Sequence, residues 1–149
     1  PIDTIKNTVD EYVVAFLNGI SGAGVGGSIF WGITDKERRV CGVKLGYKEK
    51  DELFQLIAQK LGKIQPEIRP DGYWVEAHPV FENHGCGTPI LDVYVIQVYV
   101  FAPEHNLEPY YTESGDCFVK TVSGKKKLYG QAFTHWFIEN FTKNHLVNE

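Results

Sequence analysis

Two sets of cationic side chains stand out in this sequence. Lys120 precedes the run Ser123-Gly124-Lys125-Lys126-Lys127, and Lys44, Lys48 and Lys50 surround Tyr47. Ammonium groups on mobile stems contact phosphate, and unpaired RNA bases stack on aromatic faces, so both sets could touch RNA. By itself a short Lys run is more commonly a solvated surface loop. His78, His84 and Cys86 lie close together, with Cys41 and Cys117 remote. No paired Cys-x-x-Cys accompanies them, so zinc is not expected. His135 and His145 read as surface or core residues. Glu76 and Asp92 are carboxylates near strand segments, and Asp92 reads as a strand-end residue before it reads as a ligand. Cys41 falls in an apolar strand segment, where a thiol packs and does not react. The glycine loop Gly22-Ala-Gly24-Val-Gly26-Gly27-Ser28 invites a phosphate-cradle reading. It runs from a helix into a strand, the reverse of a dinucleotide-binding turn, and no Gly-Lys-Ser/Thr follows. It reads as a tight connection.

These residues need elements to hold them. Ile5, Val9, Tyr12, Val13, Phe16 and Leu17 recur at helical spacing, which predicts a helix from about Asp3 to Asn18, capped by Asp3 or Thr4 and stopped at Asn18-Gly19. Ser28 to Ile33 and Arg39 to Val43 read as a strand and its return, joined by the polar turn 34–38. Asp51 to Leu61 reads as a second helix, ending at Gly62. Gly72 to Phe81 alternates like a strand, and 82–89 is a turn by composition. Ile90 to Phe101 is nearly continuous in apolar residues, which predicts a central strand buried on both faces. Pro109 to Thr112 and Cys117 to Val122 are shorter strands. Ser123 to Lys127 is an exposed basic loop, and Tyr129 to Phe141 a last helix. The order α-β-β-α-β-β-β-β-α predicts an α+β fold, a mixed and mostly antiparallel sheet with helices packed on it.

Composition sets the outer bounds. The chain has 149 residues, 43% of them apolar, with nine Phe, eight Tyr and three Trp. One domain over 1–149 with a substantial core is expected. The formal net charge is −4, which argues against attachment to nucleic acid by overall charge while leaving room for a local basic patch. Three widely spaced cysteines predict a reduced, intracellular and cytoplasmic setting. The longest apolar run, Val93 to Ala102, is too short to cross a bilayer and is broken by Gln97. The sequence contains no Met and begins at Pro1, as a fragment of a longer protein would.

One ordered series carries more information than any of these features alone. Ala15-Phe-Leu-Asn18, Gly26-Gly27, Ile29-Phe-Trp-Gly-Ile33, Asp35 and Val40-Cys-Gly-Val43 follow one another, and Leu91 to Val98, Pro109-Tyr-Tyr111 and Phe118-Val-Lys120 come downstream. From about Asp10 to Tyr129 this resembles the Schlafen family's AlbA-like domain. The stretch Gly19 to Val25 is longer than the family's usual connection. The resemblance implies RNA binding and, as in some members, metal-dependent RNA cleavage. It implies that Asp35 occupies the place of an acidic residue of the metal site, with Mg²⁺ or Mn²⁺ as cofactor, since both prefer oxygen ligands. Two further glutamates of that site have no counterpart here. Without the resemblance, Asp35 is an ordinary exposed turn residue. The resemblance also makes Lys120, Lys125, Lys126 and Lys127 the RNA-binding candidates.

Because Schlafen nuclease cores pair two lobes around a basic channel, one lobe implies a partner, either a second copy or another Schlafen-fold chain. The small Schlafen-fold subunits of a piRNA-precursor 5′-processing endonuclease are similar in kind. The leading expectation is therefore an RNA-directed module, a metal-dependent endoribonuclease or a subunit of one, acting on small or structured RNA. The first alternative is a non-catalytic assembly module with Tyr110, Tyr111, Phe133, Trp136 and Phe137 as interface residues. The second is a DNA-binding AlbA-like domain.

Overall fold

Apolar periodicity switches between helix and strand spacing along the chain, and the fold follows it. In the computed structural model, which describes residues 2–19, 27–34, 36, 39–82, 87–101, 108–122 and 124–142, the order is α1 (Ile2–Leu17), β1 (Gly27–Trp31), β2 (Val43–Lys44), α2 (Tyr47–Leu61), β3 (Tyr73–Phe81), β4 (Pro89–Val100), β5 (Cys117–Thr121), β6 (Gly124–Leu128) and α3 (Gly130–Phe137), continued by a π-helical turn, Ile138–Thr142. This is the expected α+β class. Every pairing between the named strands is antiparallel.

β4 is the spine of the larger sheet. β3 lies along one of its edges, and β1 and β2 share the other end to end. Ile96, Val98 and Val100 of β4 point to one face with Ile29 and Val43, and α1 and α2 bury Ile5, Val9, Val13, Val14, Leu17, Leu53, Ile57 and Leu61 against them. Each such side chain contributes roughly 1.5–3 kcal/mol when buried, so packing outweighs the modest helix propensity of the three valines in α1. α1 is covered again on a second side, by the β5–β6 hairpin. Val14, Ala15 and Asn18 are accordingly buried as well.

Several sequence expectations need correction. The segments flanking the turn 34–38 do not form a paired hairpin of strands. Only Ile33 and Val40 bridge each other, and β1 and β2 both pair with β4 instead. α2 begins at Tyr47, four residues earlier than expected, so Tyr47, Lys48 and Lys50 lie on its first turn. There Glu49 Oε1 accepts the Gly46 N–H at 3.4 Å. Asp3 and Thr4 do not cap α1, which has already begun at Ile2.

β4 is central, but its two faces are not both buried. Leu91 is 84% exposed, and Gln97 and Tyr99 are only half covered. The expected strand Pro109 to Thr112 reduces to one bridge, Tyr111 with Gln65. In its place the basic run is a strand, not a loop, because β6 pairs with β5 through five residues. Cys41 is exposed, since the segment around it is not sheet interior. No helix among the described residues is long and apolar enough to cross a membrane.

Candidate nucleic-acid interface

The hairpin that carries the lysines is fixed to α1 by one buried amide. Asn18 follows the last turn of α1 and is fully buried. Its Nδ2 donates to the carbonyls of Tyr110 at 3.0 Å and Phe118 at 2.9 Å, and its Oδ1 accepts the Tyr110 N–H at 2.8 Å. A side-chain amide offers two donors and an acceptor, and here both ends are used on backbone groups of Tyr110 and Phe118. Burial pushes the neighbouring Cys117 thiol up to about 11, so this thiol stays protonated and inert near neutral pH. Burial also raises Tyr110 and Tyr111, with help from Glu108 in each case.

The hairpin register sorts the lysines by face. Phe118 is opposite Lys127 and Lys120 is opposite Lys125, so these four share the face turned to α1, while Lys126 and Val119 are on the other. Lys125 is the most committed. Its Nζ is 2.9 Å from Glu11 and lies 5.2 Å from the ring centres of both Tyr12 and Phe118. Lys127 pairs with Asp116 at 3.2 Å. Lys120 is exposed, with its ammonium 5.5 Å above the Phe16 ring and 3.5 Å from the Gly124 carbonyl. Lys126 is exposed and has no partner among the described residues. Two of the four sequence candidates are therefore spent partly on carboxylates, and two present their charge to solvent.

The second cationic set divides in the same way. Lys50 sits over the Tyr47 ring at 5.6 Å and the Tyr94 ring at 5.1 Å, whereas Lys44 and Lys48 are exposed.

The sheet face turned away from α1 and α2 is built differently. Alternation along β3 sends Tyr73, Val75 and Ala77 to the core and Trp74, Glu76 and His78 outward. Register places Trp74 beside Tyr99 and Ser28, and Glu76 beside Gln97 and Phe30. A polar ladder crosses this face. Trp74 Nε1 donates to Glu76 at 3.0 Å, His78 Nε2 lies 3.3 Å from Glu76 and 2.8 Å from Gln97 Oε1, and Gln97 Nε2 donates to Ser28 at 2.9 Å. Tyr99 and Phe101 stand edge to face at 4.6 Å. Trp74 is 62%, Phe101 49% and Phe30 46% exposed. An open groove of about 290 Å³ lies between Trp74, Glu76, Gln97, Tyr99 and Phe101.

The turn expected to carry chemistry leaves the sheet through a pinch of two glycines. Gly32 (φ +103) and Gly42 (φ +74) both occupy left-handed backbone, and a Cβ on Gly42 would lie 2.3 Å from Val93 Cγ1. Asp35 itself lies outside the described residues, as do His84 and Cys86. Glu76 is engaged on the outer sheet face. Asp92 sits at φ +60 in β4, where the β3–β4 register shifts. That places it in a bulge, not at a strand-end cap. No three His, Cys, Asp or Glu residues among those described converge to hold a metal. The described residues therefore do not by themselves make a Mg²⁺, Mn²⁺ or zinc site.

Sequence reasoning missed the two features that organise these surfaces. Asn18 read as a helix stop because a glycine follows it. Trp74 read only as a member of an alternating strand, and Glu76 only as an acid near one. The signal for Trp74 was present, since a large aromatic on the polar phase of the alternation has no core to enter.

The structure is similar to that of the DIP2311 protein from Corynebacterium diphtheriae, with a TM-score of 0.51 and 20% identity over 94% of this chain. The match takes in 20% of that protein, so this chain spans about a fifth of its length, and the likeness concerns the fold alone. The family model described as Schlafen, AlbA_2 matches residues 2–129, which takes in α1 through β6 and stops just before α3. The buried amide, the glycine pinch and the basic hairpin are thus all features of a chain that belongs to the Schlafen AlbA_2 family.

Proposed function

We propose that this chain is an RNA-directed module of Schlafen type, serving as a subunit of a metal-dependent endoribonuclease that acts on small or structured RNA. The observation that carries the reading is the disposition of Lys120 and Lys126. Both are exposed without a carboxylate partner on a hairpin held rigid by Asn18, Lys125–Glu11 and Lys127–Asp116. A rigid support with solvent-facing ammonium groups that no carboxylate neutralises suits phosphate contact, because little side-chain and no backbone order must be gained on binding. The overall charge of −4 fits a subunit whose partner supplies more of the positive surface. A metal set including Asp35, with Mg²⁺ or Mn²⁺, needs further carboxylates from outside the described residues. The partner in this reading is another Schlafen-fold chain or a second copy.

Fluorescence anisotropy with 5′-labelled RNAs tests the binding half. The double variant Lys120→Glu/Lys126→Glu should weaken binding and flatten the log–log salt slope by about 1.4, from two phosphates at roughly 0.7 each for single strands. An unchanged slope overturns the assignment. Cleavage is tested with Mg²⁺ or Mn²⁺ in the presence of candidate Schlafen-fold partners. Cutting that disappears in Asp35→Ala, with assembly intact, supports the catalytic role. A complex that never cuts makes this chain a structural subunit.

A second reading, protein assembly, is favoured by α3. No residue of α3 or its π-helical continuation is buried, although Phe133 lies 6.0 Å from both Trp136 and Phe137 and 6.3 Å from Tyr111. Phe137 and Ile138 are exposed. An aromatic helix lying beyond the family match and covering no core suits a partner chain. Light scattering on Ile138→Asp should then show a smaller assembly than the parent, and an identical mass removes α3 from the interface.

A further inference from the structure

The outer sheet face combines exposed aromatic rings with a carboxylate whose hydrogen-bonding capacity is largely unused. The groove between Trp74, Tyr99 and Phe101 has about 290 Å³, near the lower end of small-molecule sites. That is room for a single flat ring system. Its walls are π-faces, and one side carries Glu76 and Gln97. Glu76 Oε1 accepts the Trp74 Nε1–H, while Oε2 lies 3.3 Å from His78 Nε2, whose one N–H is given to Gln97 Oε1 at 2.8 Å. A carboxylate has about four acceptor sites, so each oxygen keeps at least one. Those two sites call for a ligand with two adjacent N–H donors on one edge.

Among the RNA bases only guanine has that edge, in N1–H and the N2 amino group. Adenine and cytosine offer one amino group, and uracil one ring N–H. Gln97 uses one amide hydrogen on Ser28 and one oxygen site on His78, which leaves a donor that can reach an acceptor such as guanine O6. A phosphate contact is also available on this face. Register puts Lys44 opposite Val93, in phase with Gln97 and about 13 Å along β4 at roughly 3.3 Å per residue. Lys44 is exposed.

We infer that this face is a base-reading site, in which an unpaired guanine of single-stranded RNA stacks on Trp74 and Tyr99 and is held along its Watson–Crick edge by Glu76. The inference rests on the RNA-directed reading above but uses different residues from the lysine hairpin. In that arrangement the hairpin supplies sequence-independent affinity, and the sheet face supplies preference for one base.

The test uses the exposed Trp74 as reporter, with short uridine oligonucleotides carrying one central guanine, one central adenine or neither, and with guanosine monophosphate alone. The expected result is saturable tryptophan quenching by the guanine oligonucleotide, with affinity about tenfold or more above the other two, in keeping with the worth of one stacked base. Trp74→Ala, read by anisotropy, should weaken guanine-oligonucleotide binding, and Glu76→Gln should level the three oligonucleotides while retaining binding. Both residues are exposed, so neither change threatens the fold, and far-ultraviolet circular dichroism of each variant checks this. Equal affinity for all three oligonucleotides in the parent overturns base reading while leaving the hairpin reading intact. Quenching by the monophosphate without a guanine preference in RNA overturns RNA as the source of the base. A fall in mass on Trp74→Ala, with no effect on RNA, overturns the inference in favour of a second copy on this face. Failure of the parent to bind any RNA sinks the RNA-directed reading itself.

Discussion

Replacing Asn18 by Ala should uncouple the basic hairpin from the body of the protein. The side chain is completely buried and makes three hydrogen bonds to backbone, two to carbonyls and one from the Tyr110 N–H. Truncation leaves the Tyr110 N–H without a partner, at a cost of about 1–3 kcal/mol, and removes two bonds to carbonyls worth about 0.5–1.5 kcal/mol each. The three share one side chain and are not additive, so a loss of about 3 kcal/mol is expected out of a total stability of about 5–15 kcal/mol. With a urea dependence of about 2 kcal/mol per molar for a chain of this size, the unfolding midpoint should fall by about 1.5 M. Asn18→Asp should do no better, because it keeps the acceptor for Tyr110 but sets a carboxylate against two carbonyl oxygens. Urea unfolding followed by circular dichroism gives the midpoint, and hydrogen exchange at the Tyr110 amide gives the local effect. A midpoint shift below about 0.25 M, with Tyr110 protection unchanged, would refute the role assigned to this amide.

Three further outcomes follow from the geometry. Gly42→Ala forces a side chain into left-handed backbone and against Val93, and should cost about 1–3 kcal/mol in urea unfolding; a neutral effect would mean the pinch relaxes. Lys125→Met should cost about 1 kcal/mol through loss of Glu11 and of two ring contacts, and a double-mutant cycle with Glu11→Gln isolates the ion pair, whose coupling should fall as salt rises. Cys117 has a thiol pKa raised from 9.0 to about 11 in the folded chain, so the folded state holds its proton after the unfolded state has released it. Its contribution is therefore fully present below pH 9 and is lost as pH climbs towards 11. Cys117→Ala should make stability fall less steeply over that window, and parallel curves would contradict the burial argument.

The order of elements was legible because apolar spacing reports local geometry directly. α1, β3 and β4 could be drawn from Ile5 to Leu17, from Tyr73 to Ala77 and from Val93 to Val100. What the residues could not report was partner choice. Ser28 to Ile33 and Val40 to Val43 read as mates because they are neighbours in sequence, yet the left-handed Gly32 and Gly42 turn both segments onto β4. Lys125 to Lys127 read as a loop because charge suggests solvent. The strand forms because Phe118, directly opposite Lys127, and Leu128, the next residue after it, are buried and carry the lysines with them. Of the site, the lysines were found by type. The groove on the outer sheet face was not, since Trp74, Gln97 and Phe101 meet only through cross-strand register.

The attachment of α1 to the last hairpin also sets the order in which the molecule can be completed. The bonds from Asn18 reach partners 92 and 100 residues further along the chain. During synthesis α1 emerges first, but the backbone that covers its final turn arrives about 5–20 s later at roughly 5–20 residues per second. Throughout that interval the Asn18 amide lacks the backbone partners it holds in the finished molecule. The last turn of α1 can be covered only after the β5–β6 hairpin has left the ribosome, so a nascent chain stalled before Phe118 carries an unsealed helix end.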